Sequence, residues 1–423
     1  MSRHGPGGAV IGYHEALARV LEGARLLAVQ QVALAAATGR VLGRDVVSGS
    51  ALPPFDNAAM DGVALASGGQ PQAIGSEWEI AARIGAGDMP RDDAAYAWEI
   101  MTGAPLPARA DIVVPVERIE ALAMRDAGAP RIRLLAQAEP GANIRRRGED
   151  VPAGCVVLEQ GTLVGDPQML LLAGLGIDRV EVARRPRVAV LATGRELVAP
   201  GQPLPPGGVH DATSPYLAAA LATAGAEAVR VLRVGDEVAD FQTALDTALA
   251  DGVDLVLSTG AVSRGHYDFI PCALDARGAE RIFHRVALRP GKPVLCARLR
   301  EGPLFVGLPG NPLSTAVGFR FLVEPLLRAW LGMSGEQECR LPLAAACSKR
   351  AGLHAAFHAT LRCDGEGCMR VHAGAEQASF RLLPFSRSSA WITLPAEAEH
   401  VDAGTLVQVH GYSHLRPQPW APA

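Results

Sequence analysis

The sequence predicts a multi-domain α/β protein. It has a doubly wound central domain, an inserted mainly-β domain, an elongated N-terminal region and a small β-barrel-like C-terminal domain. Three observations carry this. From about residue 181 to 332, short apolar runs alternate with helical periodicity in the order β-α-β-α-β, as in an open sheet covered on both faces. Residues 77–144, and again those beyond 332, form short β-like segments separated by turns. Finally, 423 residues of which 49% are apolar and 20% charged supply enough core for several domains and exclude wholesale disorder. The boundaries that follow are 10–50 with 145–180 for the elongated region, 51–144 for the inserted domain, 181–332 for the doubly wound domain and 333–415 for the C-terminal domain.

Composition narrows the function. A net charge of −4 argues against a general nucleic-acid binder, which needs a basic surface. Seven cysteines, an odd number with no Cys-x-x-Cys pair, suit a reducing, cytoplasmic compartment. The opening residues MSRHGPGGAV contain no apolar signal core, and no apolar run approaches the ~20 residues of a membrane span. Neither nucleic acid nor membrane is therefore expected as a partner.

Along the chain, residues 12–42 are expected to be largely helical on either side of a short Val29–Val32 stretch. The prolines of LPPFDNAAMDGVAL (Leu52–Leu65) forbid a helix at its start, and the loop carries Asp56 and Asp61. In IMTGAPLPARADIVVPVE (Ile100–Glu117), Thr102 and Gly103 end one strand-like run and Ile112–Val116 form another. GANIRRRGEDVPAG (Gly141–Gly154) gathers Arg145, Arg146 and Arg147 beside Glu149 and Asp150. A solvated charge run is its ordinary explanation, and oxyanion recognition by bidentate guanidinium the functional one. A helix starts near Asp166, with Pro167 at its first position.

In the doubly wound region the strands Arg187–Thr193, Ala228–Val234 and Asp254–Ser258 alternate with helices near Pro215–Ala224 and Val238–Ala250. Four strand ends carry polar or glycine-rich loops. They are Thr193-Gly194-Arg195-Glu196, Gly235-Asp236-Glu237, Ser258-Thr259-Gly260-Ala261-Val262-Ser263 continuing to Asp268, and Gly307 to Pro312 with Pro309, Gly310 and Asn311. Ligands of open α/β sheets bind outside the carboxyl ends of the strands, so the four loops together form a candidate site. Backbone N–H groups there can hold an anion. Glu196, Asp236 and Asp268 facing a phosphate-like group call for a cation between, and Mg²⁺ is the natural choice. Arg289 and Lys292 of LRPGKP can balance negative charge directly. Leu304–Gly332 reads as a buried strand, a Gly/Pro turn and a long amphipathic helix, with Asn311 as N-cap and Pro312 at the first helical position. Neither a Walker A motif nor G-x-G-x-x-G is present, which disfavours P-loop and dinucleotide chemistry. Cys339–Ala345, Ala355–Arg362, Met369–His372, Ala390–Leu394 and Leu406–His410 supply the C-terminal strands. A zinc module of His354, His358, Cys363, Cys368 and His372 is the weaker reading there, because His-x₃-His needs a helix and the flanks read as β.

The ordered set PPFDNAAMDG, TGAPLP-x-x-AD-x-VV, N-I-R-x-x-GED, TG-x-EL, the Ser258–Asp268 loop, PGKP and GLPGNP resembles the molybdopterin molybdenumtransferase family (MoeA and the gephyrin E domain). The match is strong from about Val10 to Trp330 and weaker beyond. The resemblance implies an L-shaped homodimer of four-subdomain chains, with a cleft between the doubly wound domain of one subunit and the PPFDN-bearing domain of the other. It implies adenylylated molybdopterin and molybdate as substrates, Mg²⁺ as cofactor, molybdenum cofactor and AMP as products, and other proteins of that biosynthesis as partners. By the same resemblance Asp61, Thr102, Asp150, Glu196, Asp268 and Lys292 are the catalytic candidates, and Glu196, Asp236 and Asp268 the metal ligands. Thr193, Gly194, Asp236, Ser258, Thr259, Gly260, Ser263, Arg289 and Pro309–Pro312 are the substrate-binding candidates. The chain departs from the family pattern at Arg195 (usually an acid), Ala261 (glycine), Thr213 (asparagine), Arg289 (lysine) and His266. These departures keep a second reading open, a catalytically weak molybdopterin-binding or scaffold protein.

Overall fold

Apolar side chains alternate along the strand Arg187–Thr193. Val188 and Val190 enter one core, Ala189 and Leu191 a second, so both faces of the sheet must be covered. The structure, a computed structural model, describes residues 9–89, 95–123, 129–262 and 269–415. In chain order the central domain runs β1 (Arg187–Thr193), α1 (Thr213–Thr223), β2 (Glu227–Val234), α2 (Val238–Ala250), β3 (Leu255–Thr259), α3 (Ile270–Ala276), β4 (Glu280–His284), β5 (Leu295–Arg298) and β6 (Leu304–Leu308). The sheet order is β2-β1-β3-β6-β5-β4. The first four strands are parallel, and β5 and β4 continue the sheet antiparallel. Leu217 and Leu221 of α1 pack on one face, Phe241 and Leu245 of α2 and Ile270 of α3 on the other. Register brings the carboxyl ends together: Thr193 lies beside Val234, Ala192 beside Thr259, and Thr259 beside Leu308.

After β6 the chain turns into α4 (Pro312–Gly318), a π-helical turn (Phe319–Val323) and α5 (Glu324–Trp330). The amphipathic helix expected here is instead buried on nearly every side. The sheet lies on one flank, and the N-terminal helix Tyr13–Glu22 packs on α5. The C-terminal domain is tied on by Arg320, which donates to the Gly411 carbonyl (2.9 Å) and pairs bidentately with Glu336 (2.8 Å for each bond). Burial pushes the Glu324 carboxyl beside it up to about 8. Asn311 holds the N-cap position, but its side chain caps no N–H.

The helical expectation for residues 12–42 is corrected. Helix ends at Glu22, and Val29–Ala33 is a strand paired antiparallel with Arg179–Ala183, followed by a single 3₁₀ turn at Leu34–Ala36. That pairing partner lies far away in sequence, beyond the reach of local periodicity. Within residues 51–144 a four-stranded sheet is built on Gly62–Leu65, with Ala64 and Trp98 in one core and Val63 and Leu65 in another. Five C-terminal strands and one from the central domain form a six-stranded sheet. Leu288–Arg289, from the LRPGKP loop, joins its edge in parallel register with His354 and Ala355. His354 and His358 share one strand, His354–Cys363, and His372 lies on Met369–Ala373. Among the described residues no group of three or more His, Cys, Asp or Glu is placed to hold a metal ion.

Candidate functional site

The parallel strand ends open into a cleft of about 860 Å³. Its polar lining comes from the loops that the sequence singled out: Thr193, Gly194, Arg195 and Glu196 after β1, Asp236 after β2, Thr259 and Gly260 after β3, and Gly310, Asn311 and Pro312 after β6. The floor is held by hydroxyls. Thr193 donates to the Thr259 carbonyl at 2.9 Å, and the Thr213 and Thr259 hydroxyls lie 3.2 Å apart. Asp211, fully buried, accepts from the Thr213 and Ser214 N–H groups and so starts α1 in the way an N-cap does. Thr315 closes the β6 turn by donating to the Pro309 carbonyl at 2.6 Å.

Close approach explains Gly260. It has φ +86°, and a Cβ there would lie 2.7 Å from the Thr193 carbonyl oxygen. Ala261 follows with φ +52°, a left-handed backbone adopted by a residue that pays a steric penalty for it. Glycine is therefore the better fit at that position.

Two carboxylates face this space. Glu196 has no ion-pair partner among the described residues, and Asp236 accepts from the Arg195 backbone N–H at 3.5 Å with the Arg195 Nε 4.0 Å away. Asp268 and Ser263 lie outside the described residues, as does His266. Ser258 is fully buried and belongs beneath the cleft rather than to its lining; a Cβ added at Gly307 would lie 3.3 Å from its hydroxyl.

Arg289 and Lys292 line a neighbouring depression of about 440 Å³, together with Ser314, Gln377 and Ser379. Both cations are exposed, and neither has an ion-pair partner among the described residues. One side chain, Phe380 of the C-terminal domain, lines both spaces. Phe380, Leu382 and His210 were not anticipated from the sequence. Phe380 and Leu382 arrive through a tertiary contact, the Leu313 N–H donating to the Ser379 carbonyl at 3.1 Å, and no motif marks them. The one local signal was a bulky aromatic among small and charged neighbours.

Asp61, Thr102 and Asp150 line neither space. They sit exposed on the inserted domain and the segment after it. The Thr102 backbone N–H (2.6 Å) and hydroxyl (2.9 Å) both donate to Asp61, and these bonds hold its carboxyl below the usual range. The arginine cluster nearby is partly occupied: Arg146 pairs with Asp56 at 2.7 Å, and its N–H donates to Glu149.

Comparison with known proteins gives two family matches along the chain. A family model described as the MoeA N-terminal region (domain I and II) matches residues 11–176, and one described as a "Probable molybdopterin binding domain" matches residues 189–329. The chain is 38% identical over 391 residues to molybdopterin molybdenumtransferase 2 of Mycobacterium tuberculosis, covering 89% of this chain and 94% of that one. It is 34% identical over 416 residues to the molybdopterin molybdenumtransferase of Synechococcus elongatus, covering 95% and 99% respectively. The crystal structure of the molybdopterin biosynthesis MoeA protein from Pyrococcus horikoshii OT3 superposes with a TM-score of 0.80 at 25% identity, over 95% of this chain and 99% of that one.

Proposed function

From the premise that this chain belongs to the molybdopterin molybdenumtransferase family, we propose that it inserts molybdenum from molybdate into adenylylated molybdopterin and releases AMP. The observation that carries this reading is the pair of adjoining spaces, one acidic and hydroxyl-lined, the other cationic. A two-substrate reaction needs such a division when one substrate is a phosphate-bearing ring compound and the other an inorganic oxyanion. The turns after β1, β3 and β6 receive phosphoryl oxygens. Arg289 and Lys292 hold molybdate and balance the charge that develops as AMP departs.

Two carboxylates plus substrate oxygens are a usual magnesium donor set, so Glu196 and Asp236 fit Mg²⁺. Bound there, the ion would neutralise phosphoryl charge. No protein nucleophile is needed: a molybdate oxygen can attack the pterin-side phosphorus of the pyrophosphate link, breaking its P–O bond to AMP, which leaves as the monophosphate. Asp61, Thr102 and Asp150 enter the same cleft from a second copy of the chain, which makes the working unit a homodimer.

One observation favours a binding or scaffold role instead: Arg195 lies over Asp236, where it competes with a cation. Purified protein given adenylylated molybdopterin, molybdate and Mg²⁺ decides between them. Release of AMP is the expected result. Tight ligand binding without release would establish the scaffold.

A further inference from the structure

We propose that Phe380 is a positioning residue against which a fused heteroaromatic ring of the ligand stacks, at the boundary between the acidic cleft and the cationic depression. This rests on the function proposed above and deepens it, since it assigns a recognition element to the ring rather than to the phosphates.

Phe380 is 67% exposed, although it is a large apolar side chain. Isolated exposed aromatics are ordinary on protein surfaces. This one differs in three respects. It lines both spaces at once. It is the only Phe, Tyr or Trp among the described residues of the cleft lining. And it is held in place: the preceding Ser379 carbonyl is anchored to the Leu313 N–H, and the Arg381 guanidinium lies 5.5 Å from its ring centroid while pairing with Glu376 at 3.3 Å. The other planar groups of the two linings, the His210 imidazole and the Arg195 and Arg289 guanidiniums, are polar, so Phe380 is the apolar flat surface open to a ring. Leu382 extends the apolar strip along the same wall.

Aromatic stacking on a nucleobase-like ring is tolerant of ring identity, so pterin and adenine share the chemistry. Loss of the Phe380 ring should weaken binding of the stacked ring about tenfold. The experiment titrates the wild-type protein, Phe380→Ala and Phe380→Tyr separately with AMP, molybdopterin and molybdate. The expected result is a loss of about tenfold in Phe380→Ala for one ring ligand, restored in Phe380→Tyr, with molybdate affinity within about twofold of wild type. A loss confined to AMP assigns the ring as adenine, and a loss confined to molybdopterin assigns it as pterin.

Equal affinity of Phe380→Ala and wild type for both rings overturns the proposal. So does a lasting loss in Phe380→Tyr, or a shift from dimer to monomer with ring affinity unchanged. A wild-type protein that binds the rings in a Phe380-dependent way yet releases no AMP would remove the catalytic reading and leave this one standing.

Discussion

Two polar clusters in this chain are built in opposite ways. At the strand ends, Thr193 and Thr259 close buried parallel strands and Gly260 follows directly, and their loops converge because the sheet register makes them. On the inserted domain, Asp61 and Thr102 satisfy each other at the surface and line neither of the two spaces. The first is a wall with space in front of it. The second is a finished group with solvent in front of it, its carboxyl held below the usual range by the Thr102 donors. On the function proposed above, one copy then holds two halves of two sites rather than one whole site.

The largest effect is expected at Lys292, which among the described residues shares the charge of that depression only with Arg289. Lys292→Ala should lower the rate of AMP release by about 10²–10³, as loss of a single group stabilising transition-state charge does, while molybdopterin binding stays near wild type. Steady-state assays with parallel binding titrations check this. An unchanged rate would move the oxyanion elsewhere.

Next comes the foundation of the strand-end wall. Asp254, at the start of β3, accepts from Arg184 at 2.6 and 2.7 Å and from the Arg187 N–H at 2.9 Å. Burial works against its ionisation, but these donors outweigh it and hold the carboxyl below the usual range. Asp254→Ala should destabilise the central domain by about 3 kcal/mol at neutral pH. A carboxyl whose pKa is depressed by folding contributes fully above its unfolded value of about 3.9 and loses that contribution as pH falls through its lower folded value. Denaturation midpoints from pH 6 down to pH 2 should therefore converge for variant and wild type, and a constant gap would refute the assignment.

The smallest effect is at the rim of the cleft. Ala261→Gly relieves the left-handed backbone and should stabilise the fold by about 1 kcal/mol, read from the melting temperature. A loss of stability would mean that the methyl group packs more usefully than its backbone suggests.

The strand-end wall was legible in the sequence because parallel strands buried on both faces read as continuous apolar runs, and glycines mark where they stop. The helix after β6 was legible in place but not in character, since periodicity along residues 319–330 cannot show that the outer face is covered by Tyr13–Glu22 and the C-terminal domain. The Val29–Val32 stretch was set apart from its flanks but not read as a strand, and helix was expected on both sides of it, because its pairing partner is the distant Arg179–Ala183. Phe380 was missed for the same kind of reason: its place at the cleft depends on one backbone bond between distant segments. Local chemistry was readable, and contacts made by folding back from another domain were not.

The central claim, that two copies each lend one wall to a site, is tested most directly by mixing two inactive variants. Asp61→Asn spoils the inserted-domain wall and Lys292→Ala the strand-end wall. If the walls come from different copies, a co-refolded equal mixture contains heterodimers with one intact cleft, and AMP release should return to about a quarter of the wild-type rate. If both walls served the same cleft within one chain, every site in the mixture would carry a defect, and the rate would stay at the level of the two variants alone.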